Sequence, residues 1–162
     1  MIIITHAITG AAIGALVNEL ISNPFEVQLI VLVSVFFALL PDINVLWKDL
    51  AGHHEDITHY PIFWVVLSLV LLSIESIFFT GYLFSLLLFV NTSLHMFLDL
   101  FGFRNGMHVL YPFSNKEYSI TKIPTKDTLT VLEYIVLYTK NGNMIYELAI
   151  IVSGGITVYS LL

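Results

Sequence analysis

Long apolar runs separated by short breaks constrain this chain more than any other feature. Residues 2–22 form the first run, broken at Ser22-Asn23-Pro24, and residues 26–40, "EVQLIVLVSVFFALL", form the second, stopped by Pro41-Asp42. Residues 60–79 form the third, and Thr80-Gly81 is short enough to be only a turn before the fourth, residues 82–101, "YLFSLLLFVNTSLHMFLDLF". Residues 144–162 form the last. A helix that crosses the bilayer core needs about 20 mostly apolar residues. Residues 128–139 are apolar but fall short of that length, and read as a tilted, re-entrant or interfacial helix. The expected fold is therefore all-α: a polytopic membrane helix bundle of about five spanning helices plus one short interfacial or re-entrant helix, with residues 1–162 as a single domain.

Composition agrees. The chain is 57% hydrophobic and 11% charged, with a mean hydropathy of +0.89, where a soluble domain carries roughly 25% charged residues. A net charge of −6 with six Lys and Arg in all argues against nucleic acid, which needs clustered cations for its phosphates. There is no Cys, so thiolate zinc sites, disulfides and cysteine nucleophiles are excluded. The start, Met1-Ile2-Ile3-Ile4, lacks the basic region of a signal peptide and reads as a retained helix.

Counting crossings places the polar segments. If the first two helices are one hairpin and the next two another, the N-terminus, the 41–59 connection and the 102–127 connection share a side. That side carries Lys48, Arg104, Lys116, Lys122 and Lys126, whereas the opposite turns, 22–25 and 80–81, carry no Lys or Arg. The positive-inside tendency makes the lysine-bearing side cytoplasmic.

The same topology gathers His6, Asp42, His54, His59, His95 and Asp99 at one end of the bundle. His95 and Asp99 are four apart in an otherwise apolar helix, on one face. Ionisable groups at membrane depth are costly and face the bundle interior or a wet cavity. Taken singly, His6 reads more readily as an interfacial or hydrogen-bonded helix histidine, and Asp42 as readily as a loop acid. Their convergence points instead to an N/O metal site for one or two divalent transition ions, zinc first, manganese or iron next. His53 and His108 read as solvated loop residues, and Glu19 and Glu75 as interfacial groups at the far end. His6, Gly10 and Gly14 recur every four residues, so the glycines let a neighbouring backbone approach beneath the histidine. Within "HHEDITHYP", His54 and His59 are five apart, about 140° around a helix. That spacing predicts His54 in a loop and His59 at the start of the third helix, with Thr58 as its cap and Pro61 in its first turn.

Four ordered blocks give the chain a specific resemblance: "THAITGAAIG", "LLPDIN", "HEDITHY" and "HMFLDLFGFRNGMHVLYPFS". In these, over most of residues 5–115, it resembles the membrane-bound metal-dependent hydrolases of the YdjM type, also called LexA-binding, inner-membrane-associated hydrolases. The resemblance implies His6, Asp42, His54, His59, His95 and Asp99 as metal or catalytic positions, and Gly106, Pro112, Phe113 and Ser114 as a shaped loop at the site. Asn44 stands where that family usually has a second acid, Glu55-Asp56 replace Arg-Gly, and Tyr60 replaces Ser. Loss of that Arg removes a bidentate phosphate clamp.

The chemistry expected of such a site is hydrolysis by a metal-activated water, because no Cys and no G-x-S-x-G elbow offers a nucleophile. Asp42, Asp99 or Glu55 would serve as general base. An amphiphilic substrate suits a site at the membrane surface, with a lipid phosphoester as the natural guess and Arg104 as its phosphate partner; Arg104 reads equally as a topology anchor. Two rivals stand beside this reading: a protein that binds or moves a metal without catalysis, and an inactive homologue serving as a scaffold. Transport favours ligands near the bilayer midplane, and here they gather at one end.

Overall fold

A computed structural model describes residues 3–47, 56–78, 81–101, 106–120, 136, 139–140 and 143–162. Five helices organise them: α1 (Ile3–Leu20), α2 (Val27–Leu39), α3 (Pro61–Phe78), α4 (Leu83–Asp99) and α5 (Asn143–Leu161). Two 3-10 turns, Leu40–Leu46 and Ile57–His59, lie between α2 and α3. Among the described residues there is no strand, and one isolated antiparallel bridge pairs Met107 with Tyr118. The short helix expected over 128–139 lies mostly outside the described residues.

Among the described residues, four helical runs are long and apolar enough to cross a membrane: Ile3–Leu20, Val27–Leu46, Pro61–Phe78 and Met144–Leu161. α4 is apolar but has 17 residues. It is the inner helix, packed on α1, α2 and α3, while α1 also packs on α2 and α5. The outer faces are greasy. Leu32, Phe36, Leu69, Ile77 and Val152 are all exposed, which in water would be an extensive apolar surface and in lipid is the expected one.

The polar residues inside serve close packing. A Cβ on Gly10 would lie 2.7 Å from the Ala38 Cβ, and one on Gly14 would lie 2.8 Å from the Val31 Cα. The two glycines thus set the separation of α1 and α2, as small residues do where lipid gives helices no hydrophobic reason to associate. Ser34 donates to the Gly10 carbonyl at 2.7 Å, and Asn91 of α4 donates to Ser34 Oγ at 2.9 Å. Three helices are tied at one level.

Helix ends follow from sequence. Pro41 has no N–H to continue the α-helical ladder, and α2 tightens there into the 3-10 turn Leu40–Leu46. Pro61 opens α3, the position that tolerates a missing N–H. Thr58 does not cap that helix. It lies inside the turn Ile57–His59, where the Asp56 carboxylate accepts from its N–H at 3.3 Å and its carbonyl accepts from Trp64 Nε1 at 2.6 Å. Glu75 also differs from the expected interfacial group: it is buried, and its carboxylate accepts from the N–H groups of Phe84 and Ser85 at 2.8 and 2.7 Å. It closes the start of α4.

Candidate metal centre

The opposite end of α4 carries the titratable cluster. His95 and Asp99 occupy its last turns, one above the other, with His95 Nε2 3.0 Å from Asp99 Oδ2. Asp42 arrives in the first turn of Leu40–Leu46. His59 arrives at the end of Ile57–His59, a turn held by the Asp56 and Trp64 contacts and by Trp47 Nε1 donating to Asp56 Oδ2 at 3.3 Å. Two short turns, braced against each other, deliver what straight helices would aim apart.

Four ligand atoms then converge. His59 Nε2 lies 3.5 Å from Asp42 Oδ1 and 3.7 Å from Asp99 Oδ2, and His95 Nε2 lies 3.5 Å from Asp42 Oδ1. All four residues offer one donor atom within 4.8 Å of every other. Zinc takes N and O donors tetrahedrally at about 2.1 Å, which sets neighbouring donors about 3.4 Å apart. Four of the contacts among these atoms, 3.0 to 3.7 Å, bracket that separation, as a group able to hold a divalent ion requires. His95 is also prepared electronically. Its Nδ1 meets the Ala38 carbonyl at 2.7 Å; a carbonyl only accepts, so Nδ1 carries a proton, and in the neutral ring the lone pair is on Nε2, which faces the cluster.

His6 comes to the same place by a different route. Its Nε2 lies 3.2 Å from Asp99 Oδ1, the oxygen turned away from the other imidazoles, and its ring stacks on His95 with centroids 3.8 Å apart. It stands beside the four-residue group rather than in it. Asn44, where the second acid was expected, is fully buried with its amide nitrogen 3.4 Å from His59 Nδ1.

The segment 106–120 docks at this end. Met107 packs with Trp64, Leu88 and Met96, and Ile120 N donates to the Leu100 carbonyl at 2.8 Å. Gly106 is there for close approach, since a Cβ would sit 2.7 Å from the Tyr118 carbonyl oxygen. Pro112 follows a cis bond, Phe113 is 86% exposed, and Ser114 Oγ accepts from Lys116 N at 3.2 Å. None of these expected loop residues is among the four-residue group. His108 is half-buried rather than solvated, edge-on to Tyr60, whose ring stacks on Tyr111 with centroids 4.3 Å apart. His54, Glu55 and Arg104 lie outside the described residues.

A helical bundle with lipid-type outer faces and a buried His/Asp group at one end defines a class: an integral membrane protein with a candidate metal centre. Residues 1–161 match the YdjM inner membrane protein family, and the chain belongs to it. Comparison with curated proteins and with solved structures finds no match.

Proposed function

We propose that this protein is a metal-dependent hydrolase of the inner membrane, with its site at the cytoplasmic end of the bundle and an amphiphile, such as a lipid phosphoester, as substrate. The observation that carries the reading is the convergence of Asp42 Oδ1, His59 Nε2, His95 Nε2 and Asp99 Oδ2 at metal-ligand separations. A divalent ion held by these residues would supply Lewis acidity and make a water at the site easier to deprotonate near neutral pH.

The four residues are not equivalent. His59, His95 and Asp99 are buried, whereas the Asp42 side chain is 18% exposed. Three protein ligands with one open position mark a catalytic zinc site, and four mark a structural one. Asp42 is the residue on the open side. In the hydrolase reading His59, His95 and Asp99 would hold the ion, and Asp42 would act as the general base for a water. The exposed apolar faces of the bundle suit an acyl-bearing substrate, and Arg104, five residues past Asp99 in the sequence, is the candidate cation for its phosphate. The alternative is a closed site of all four ligands that binds metal without catalysis.

Metal analysis of the detergent-purified protein, with Asp42→Asn and His95→Ala beside it, tests both. Asp42→Asn that keeps its metal but loses hydrolysis of a phosphodiester in mixed micelles supports the hydrolase. Asp42→Asn that loses its metal together with His95→Ala supports the closed site. A wild-type protein without metal rejects both.

A further inference from the structure

We propose that His6 and Asn44 are positioning residues of this centre, each orienting one ligand from outside, and that neither binds the ion itself. The inference rests on the metal reading above and assigns the next layer of the same site.

Ring geometry excludes His6 from the ion that His95 would hold. An imidazole binds a metal in its own ring plane at about 2.1 Å. The rings of His6 and His95 are stacked at 3.8 Å and lie only 19° from parallel. Two such planes cannot both contain one ion. What His6 does reach is Asp99 Oδ1, at 3.2 Å. An ionised carboxylate oxygen only accepts, so His6 Nε2–H donates and fixes the rotation of the carboxylate, leaving Oδ2 aimed at His59 and His95. The stack on His95 in turn keeps His6 from swinging away.

Asn44 holds the equivalent place for His59. Its side chain is fully buried in the turn Leu40–Leu46, two residues past Asp42, and its amide meets His59 Nδ1 at 3.4 Å. The Thr58 hydroxyl meets the same nitrogen at 3.4 Å. The oxygen and nitrogen ends of an amide exchange places by a half-turn of the side chain. Turned so that its oxygen accepts from Nδ1–H, Asn44 leaves the lone pair of His59 on Nε2, as the Ala38 carbonyl does for His95 at 2.7 Å. Each buried ligand then has its own outer partner: His6 from α1 for Asp99, Ala38 from α2 for His95, and Asn44 from the turn for His59. Such partners are typically worth 10–100-fold in metal affinity.

Zinc titration of the chelator-stripped, detergent-purified full chain, read against a competing chelator for both Kd and stoichiometry, tests the assignment. His6→Leu and Asn44→Leu should keep the wild-type number of ions and bind zinc about 10–100-fold more weakly. His6→Gln, whose amide N–H can donate to Oδ1, and Asn44→Asp, whose carboxylate accepts from Nδ1–H, should recover most of that loss. A drop of one ion per chain in both His6 variants makes His6 a ligand and overturns its part of the proposal. Unchanged affinity in the leucine variants overturns it too, as does equal weakening in leucine and conservative variants, which marks a packing effect. Asp99→Asn separates the levels: loss of zinc there with no effect at His6 or Asn44 rejects this inference alone, and a wild-type chain that binds no zinc rejects the metal reading with it.

Discussion

Glu75 and Asp99 are both buried acids, 3% and 5% exposed, and they stand at the two ends of α4. Glu75 lies over the helix start, where free N–H groups and the positive end of the macrodipole favour an anion. Two of those N–H groups donate to it at 2.8 and 2.7 Å, and it serves the fold. Asp99 lies at the helix end, where the macrodipole disfavours an anion. Around it the structure sets His6, His59 and His95, with Asp42 across the same imidazoles. Asp42, His59, His95 and Asp99 so placed form a group that could hold a metal ion. The contrast teaches that burial of an acid in a membrane bundle is not by itself a sign of function; the groups it faces decide.

The largest effect should come at the Asp99 end. Asp99→Ala or His95→Ala should bring metal content, measured by plasma mass spectrometry on purified protein, down to background, whereas Glu75→Ala should leave it at the wild-type level. Full occupancy in both site variants would remove the contrast. Next in size is the reverse experiment. Glu75→Ala leaves buried N–H groups of α4 without their acceptor, which costs about 1–3 kcal/mol, so its thermal midpoint in detergent should fall with metal present or absent.

Chelation sharpens the same comparison. Wild type should lose thermal stability when stripped, by about 2.7 kcal/mol where the ion had stood at 100 times its Kd. That difference should persist in Glu75→Ala and vanish in Asp99→Ala. A smaller effect is expected at the helix seam: Gly10→Ala forces a Cβ to 2.7 Å from that of Ala38, and overpacking of this kind costs about 1–3 kcal/mol. Because Ala38 also carries the carbonyl on His95, weaker zinc binding should accompany the loss of stability. The smallest perturbation is topological. Cysteines at Lys48 and Lys116 should be labelled from the same, cytoplasmic side, while one at Asn23 is labelled from the other; opposite labelling of the first two would split the site end.

Much of this was legible in the chain. The helices fall close to the apolar runs because lipid leaves a spanning backbone no partner but itself, so length and hydropathy suffice to place them. Their ends were legible where proline marks them, at Pro41 and Pro61. The pair His95 and Asp99 was visible too, because four residues in an apolar helix put two side chains on one face whatever surrounds them. The 3-10 turn at Ile57–His59 was less so, since its cap, Asp56, stands in the sequence only as half of a replacement for Arg-Gly.

Other features depended on partners far away in sequence. Glu75 looked interfacial until α4 was seen to start beneath it. Asn44 looked like a departure from a pattern, and its contact is with a histidine fifteen positions on. His6 was expected among the ligands, and its place beside the four-residue group, on Asp99 Oδ1 and stacked on His95, came only from the packing of α1. The sequence by itself determined a helical membrane bundle and an end at which imidazoles and carboxylates collect, because helical periodicity and the need to satisfy backbone groups in lipid act locally. Which atoms face one another was decided by tertiary structure alone, because it depends on how closely Gly10 and Gly14 let α1 approach α2 and on how two short turns tilt Asp42 and His59 toward the end of α4.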